Sequence, residues 1–425
     1  MKRLILGLAI LVGGGVFSAT AQTPPLPEIV SVPKTAAAAA SLPALGLDLL
    51  ADWDGRIYIV AEPRDLALLK SRGIAFRYDT WSFAPAVPRP RGQGGPIGAF
   101  HTGLQLERDL LDLQAEYPGL AKVFNLGTSL ENRPIYALKI SDNVALDEDE
   151  AETLFLGCHH AREWISVDVP LRLARRLAEG YASNPDIRRR VDASEIWIVP
   201  LVNPDGLEYT IQTYRWWRKN RRANADGSFG VDLNRNYGYM WGIDDEGSSP
   251  APSSEIYRGT GPFSEPETRI VHDLCRARSF LAVVSYHSFG QLILYPWGWT
   301  ARPSPRHAAD HALAARMAAL IRVVNGQEYV PESASTLYLT NGDTIDYVAG
   351  TLGIPAFTIE LPPLDLSAGG FMNAEKDIAS VSAENLPAML FLIDDARNRH
   401  VPSGNPAEPE RPDGPPKGRS PARRE

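Results

Sequence analysis

Cysteine is scarce in this chain: Cys158 and Cys275 are the only two among 425 residues. A small disulfide-stapled scaffold is therefore excluded, and one bridge is the most the chain can form. Long apolar runs are scarce too. Leu4 to about Phe17 is the one such stretch, and it is too short and Gly-interrupted for a stable bilayer span. Nor is positive charge in excess. A net charge of −8 argues against nucleic acid as a partner. No segment repeats another, so solenoid architectures are excluded as well.

What is present divides into four parts. Lys2 and Arg3 precede the apolar stretch, and Ala19-Thr20-Ala21 follows it with small residues. That is the pattern of a secretory signal peptide over 1–21, cleaved near Ala21. A secreted or periplasmic protein is expected, with no membrane association after signal removal. Residues 22–97 read as a small α+β piece. Thr23 to Ala40 is Pro- and Ala-rich and reads as poorly ordered; Arg56–Val60 and Ile74–Tyr78 read as strands, with a helix at Asp65–Ser71. The basic linker from Pro88 to Pro96 follows, where nicking concentrates. A pro-segment released at Arg89 or Arg91 is favoured over a permanent small domain or a spacer.

From 98 to 397 helical and strand patterns alternate. Helices are expected at Leu104–Glu116, Ile165–Glu179, Ser264–Arg278, His307–Val324, Asp343–Ala349 and Ser382–Asp395. Strands are expected at Val123–Leu126, Pro134–Ile140, Thr153–Leu156, Ile196–Pro200, Leu281–Tyr286 and Ala356–Glu360. Asn203-Pro204-Asp205-Gly206 reads as a tight turn, and Ser264-Glu265-Pro266-Glu267 as a capping box. The interleaving implies an α/β domain: a mixed, largely parallel central sheet with helices on both faces. The Pro-rich, mixed-charge tail over 398–425 is expected to be disordered.

The chemistry centres on Gly157-Cys158-His159-His160-Ala161-Arg162-Glu163-Trp164, where a strand gives way to a helix. Functional side chains gather at such strand ends in open α/β sheets. An imidazole and a carboxylate three residues apart can reach one metal ion, and a third ligand must come from elsewhere. His287, at the end of another strand, lies 124 residues after Glu163. A short pair plus a distant His suits a catalytic zinc site with a fourth position for water. His159 competes with His160 for the first place; the three-residue step to Glu163 favours His160.

Four blocks carry a resemblance: His160-Ala161-Arg162-Glu163-Trp164, Trp217-Arg218-Lys219-Asn220-Arg221, Asp232-Leu233-Asn234-Arg235-Asn236-Tyr237-Gly238 and Thr358-Ile359-Glu360-Leu361. Together they resemble the zinc metallocarboxypeptidases of the carboxypeptidase A/B family, nearest to the bacterial carboxypeptidase T branch. The resemblance implies an α/β/α fold, Zn²⁺ on His160, Glu163 and His287, and a general base in Glu360. It implies that Arg218 stabilises an oxyanion, that Asn234, Arg235 and Tyr338 grip a substrate's C-terminal carboxylate, and that Arg162 lines the channel. Asp232 would orient a ligand imidazole, and Asp343 and Ile345 would line the pocket for the departing side chain, Asp343 alternatively being a helix cap.

The function implied is a monomeric, exported proenzyme that hydrolyses the C-terminal peptide bond of peptides and proteins, accepting apolar and basic end residues. The alternatives are a murein-peptide hydrolase of the same family and an inactive peptide-binding homologue. The branch also brings structural Ca²⁺, whose ligands map to no motif here. Asp244-Asp245-Glu246 is either such a site or a solvated acidic loop.

Overall fold

The computed structural model describes residues 28–42, 45, 47–53, 55–61, 63–78, 97–365, 368–404 and 407–409. The stretch read as a signal peptide and the basic linker lie outside these. Among the described residues no helix is long and apolar enough to cross a membrane.

The N-terminal unit comprises β1 (Glu28–Pro33), α1 (Ala36–Ser41), β2 (Asp48–Trp53), β3 (Arg56–Ala61), α2 (Pro63–Ser71) and β4 (Arg77–Tyr78). Its sheet has the order β2-β3-β1-β4. Val30, Val32, Ile57, Ile59 and Leu69 form its own core. The region read as poorly ordered is thus ordered in part. Glu28–Pro33 pairs antiparallel with β3, and Thr35 caps the Ala-rich helix by accepting from the Ala38 N–H. Ala has the highest helix propensity, and that outweighs the flanking prolines once a cap is supplied.

The large unit adds α3 (Gly103–Glu116), β5 (Ala121–Thr128), β6 (Pro134–Ile140), β7 (Leu146–Asp147), β8 (Ala151–Gly157), α4 (Ile165–Gly180), α5 (Pro185–Val191), β9 (Ser194–Val199) and α6 (Pro204–Gln212). Then come α7 (Pro266–Ala277), β10 (Phe280–Ser288), β11 (Leu292–Tyr295), α8 (His307–Asn325), β12 (Val330–Ser333), α9 (Ala334–Leu337), α10 (Thr344–Tyr347), β13 (Ala356–Leu361), α11 (Asp377–Arg399) and β14 (Glu408–Pro409). The eight-stranded sheet has the order β12-β11-β13-β10-β8-β9-β6-β5. Its central strands β9, β8, β10 and β13 run parallel, while β5, β6 and β11 make antiparallel pairs. Phe155 packs into one hydrophobic cluster, and Leu154 and Leu156 into the other. Burial on both faces explains why β8 reads as a continuous apolar run.

Four local expectations are corrected. Asn203-Pro204-Asp205-Gly206 opens α6: Asn203 accepts from the Gly206 N–H as N-cap and Pro204 takes the first turn, a placement proline favours. The capping box at Ser264 does not form. Glu265 is the N-cap of α7, Ser264 donates to the Glu265 carboxylate, and Glu267 is drawn toward Asn220 instead. The last helix starts at Asp377 and runs through Pro387 to Arg399. The tail is not wholly disordered: β14 pairs with β7, and Asp149 accepts from Ser403 and from the Gly404 N–H.

A zinc-type donor cluster at the strand ends

Glycine at 157 lets α4 start close to the sheet. A Cβ there would lie 2.2 Å from the Ser166 carbonyl and 2.6 Å from that of Pro200. The chain then turns through Cys158 at φ +56°, an uncommon conformation for a residue with a side chain. Ser166 fixes the turn by donating to the Glu163 carbonyl at 2.5 Å and accepting from the Cys158 N–H at 3.1 Å. Cys158 and Cys275 are both buried and unpaired.

This turn brings His160 and Glu163 together, and β10 delivers His287. The His160 Nδ1 lies 2.8 Å from Glu163 Oε1, the His287 Nδ1 lies 3.0 Å from Glu163 Oε2, and the two Nδ1 atoms are 3.1 Å apart. All three residues are buried. Each imidazole is held from behind, as ligand histidines usually are. Asp232 faces His160 Nε2 at 3.2 Å, and Ser285 faces His287 Nε2 at 3.0 Å. Ser285 was not foreseen; its place two residues before His287, on the same strand face, was the available signal. His159 is not in the cluster. Its ring meets Tyr237 at 2.8 Å and Ser285 at 3.1 Å, so the three-residue step picks out His160. Burial, with the charge of Arg218, lowers the His160 pKa from its ordinary value of 6.5, keeping it neutral as a ligand must be.

Two imidazoles and one carboxylate converging in a buried pocket fit Zn²⁺. Among the described residues two other groups are close enough to share an ion. Asp147, Glu152 and Glu195 are bridged by Arg278, which donates to Glu152 at 3.1 Å and to Glu195, so a cation is already in place. Asp142, Glu148 and Glu150 lie at the opposite end of β8 and offer only carboxylates. The loop Asp244-Asp245-Glu246 forms no such group: Asn341 donates to Asp244 at 2.6 Å and Arg258 pairs with Asp245 at 2.8 Å.

Glu360 lies opposite His287 in the parallel register of β10 and β13. Burial pushes its carboxyl up to about 8, against the pull of the His287 charge. Arg218 donates Nε and Nη2 to Asp232 Oδ2 at 3.1 and 2.9 Å. Asp232 therefore couples the His160 imidazole to the guanidinium beside it. Arg235 is anchored on the Gly247 carbonyl at 2.8 Å and the Asn234 carbonyl at 2.7 Å, with its guanidinium 5.8 Å from the Tyr338 ring. The Asn234 side-chain oxygen accepts from the Thr344 N–H and hydroxyl, which directs its amide nitrogen the other way. Arg218, Arg235, Tyr338 and Leu339 line a cleft closed on one side by Leu47, Asp48 and Leu49 of the N-terminal unit. Arg162 meets Asp48 there in a two-pronged ion pair, its Nη2 at 2.8 Å from Oδ1.

Two of the nominated residues have local roles. Asp343 caps α10, Oδ1 accepting from the Asp346 N–H at 2.7 Å and Oδ2 from the Thr340 hydroxyl. Ile345 is buried in the second hydrophobic cluster beside Tyr347 and Val348.

The profile of the zinc carboxypeptidase family matches residues 106–388. The chain belongs to the zinc carboxypeptidase family. A zinc carboxypeptidase of Saccharothrix mutabilis subsp. capreolus is 33% identical over 89% of this chain and 91% of its own. Metallocarboxypeptidase A of Trichophyton tonsurans is 36% identical over 67% of this chain and 68% of its own. In three dimensions, carboxypeptidase A of Helicoverpa armigera superposes with a TM-score of 0.75 over 87% of this chain and 97% of that one, at 23% identity. The mixed eight-stranded sheet is thus the fold of the zinc carboxypeptidases, and the chain is a metallopeptidase, a hydrolase, of that family.

Proposed function

We propose that this carboxypeptidase is exported as a proenzyme and removes single C-terminal residues from peptides and proteins. What supports the reading is the buried His160–Glu163–His287 cluster, tied through Asp232 to Arg218, which lines a cleft with Arg235, together with Glu360 opposite His287 on the next strand. Bound by the cluster, Zn²⁺ would act as a Lewis acid toward the scissile carbonyl and bring a water pKa toward about 7.

The chain's own residues divide the remaining work. The Arg235 guanidinium, the Asn234 amide and the Tyr338 hydroxyl hold the substrate's terminal carboxylate, for which a planar fork is well matched. Glu360 takes a proton from the attacking water and returns it to the departing amine. A carboxyl raised by burial is suited to both steps, and a divalent cation nearby would draw its pKa back down. Arg218, fixed by Asp232, faces the oxygen on which negative charge develops. Arg162 lines the channel once Asp48 has left it. The pocket for the departing side chain combines the apolar surface of Ile345 with the Asp343 carboxylate, so that apolar and basic end residues are both accepted.

Hydrolysis of blocked dipeptides with free C-termini tests this. Release of the last residue should cease with a chelator and return with Zn²⁺. Amidated peptides should resist, because the clamp then has no carboxylate to hold. Cleavage of amidated peptides at an equal rate would overturn the assignment.

A further inference from the structure

We propose that Arg258 is a positioning residue for the carboxylate clamp: it braces the loop of residues 241–248, which holds the carbonyl on which Arg235 is anchored. The inference rests on the reading above, in which Arg235 and Tyr338 hold the substrate's terminal carboxylate. The two arms of the clamp come from distant parts of the chain and meet at one peptide group. The Gly247 carbonyl accepts from Arg235 Nε at 2.8 Å and from the Asn341 N–H at 3.3 Å, and Asn341 lies three residues after Tyr338. Glycine is required at this junction. A Cβ at 247 would lie 2.7 Å from the Asn341 nitrogen and 2.8 Å from the Thr340 carbonyl carbon.

The loop that presents Gly247 has little else to fix it. Asp244, Asp245 and Glu246 are exposed, and the chain reaches them through Met240 and Gly242 at φ +50° and +60°. Exposed segments of this kind open easily unless they are tied down. Arg258 supplies the ties. Its Nη1 donates to the Asp244 carbonyl at 2.9 Å and to the Ser248 hydroxyl at 3.2 Å, on either side of Gly247. Its Nη2 pairs with Asp245 at 2.8 Å. The arginine is itself anchored: its carbonyl accepts from Trp241 Nε1 at 3.0 Å and from the amide of Asn236, the residue after Arg235, at 2.8 Å. Asn341 closes the frame from the Tyr338 side, donating to Asp244 Oδ1 at 2.6 Å and to its carbonyl at 3.2 Å. The acidic run is thus organised by a guanidinium. Arg258 is not among the residues that line the cleft, so it acts through the loop and not on the substrate. The terminal carboxylate carries the same charge before and during hydrolysis, so a loosened clamp weakens ground state and transition state alike. Such a loss raises KM and leaves kcat in place.

The test uses the full chain cut once in the linker and a blocked dipeptide ending in Leu. Arg258→Gln should raise KM about tenfold, as expected when a hydrogen bond to a charged group is weakened, while kcat stays within about twofold of wild type. Arg258→Lys keeps the charge but has no fork to span Asp244 and Asp245. Its KM should lie between the two, and it carries the test should the Gln variant not fold. An unchanged KM in both variants, or a kcat that falls as far as kcat/KM, overturns the proposal. Full recovery in Arg258→Lys overturns it too, because the residue would then be a distant charge and not a brace. Should wild type cleave no peptide, the peptidase reading fails, and binding decides the brace. Phenylpropionate should then bind Arg258→Gln about tenfold more weakly than wild type, whereas phenylpropionamide should bind the two alike. Equal affinity of the two proteins for phenylpropionate, or no binding to wild type, overturns it.

Discussion

His287 and Glu360 stand directly opposite each other on neighbouring parallel strands, β10 and β13. One faces the donor cluster and the other makes no side-chain hydrogen bond among the described residues. Register thus sets the proposed base beside a proposed ligand. The purified protein should hold about one Zn²⁺ per chain. Glu163→Ala should lose both metal and activity. Glu360→Ala should keep the metal while activity falls by about a thousandfold. Metal analysis after dialysis checks this, and an empty site in Glu360→Ala would reverse the two roles.

The Arg162–Asp48 pair predicts that the uncut chain is the less active form. Removing one partner of a buried ion pair costs about 3 kcal/mol, so Asp48→Ala should loosen the N-terminal unit without any cut. Turnover of a small peptide should rank cut wild type highest, uncut Asp48→Ala next and uncut wild type lowest. Equal turnover by cut and uncut wild type would make the N-terminal unit a permanent accessory.

Asp343 has two possible duties, and Asp343→Asn separates them. Asn caps helices about as well as Asp, so stability should change by less than about 0.5 kcal/mol. Cleavage of C-terminal Arg and Lys should drop about tenfold further than cleavage of Leu. Equal losses for all three would restrict the residue to its cap.

His101 lies between two carboxylates, 2.6 Å from Asp168 and 3.0 Å from Asp109. Burial opposes its charge, but the hydrogen bond and charge of Asp168, with those of Asp109, outweigh this and raise its pKa above 6.5. A raised folded value means the stabilisation is complete below 6.5 and is lost as pH rises through the folded value. Denaturation midpoints should therefore fall, as pH rises above about 6.5, more steeply in wild type than in His101→Gln. Parallel slopes would show that the imidazole binds no extra proton in the fold.

What the sequence determined by itself was local and periodic. The apolar run before Gly157 specified a strand buried on both faces, and the three-residue step from His160 to Glu163 put two donor side chains within reach of each other. The family blocks added the identity of Glu360, Arg218 and Arg235. Contacts across long separations were decided by the tertiary structure. Asp232 joins His160 to Arg218 because the sheet brings three distant turns to one edge. Arg278 fills a cluster of carboxylates that spacing could not assemble. Above all, Asp48 lies 114 residues before Arg162, in a stretch where neither periodicity nor motif marks it. An ion pair carries no sequence period; only the packing of β2 over the cleft chose its partners.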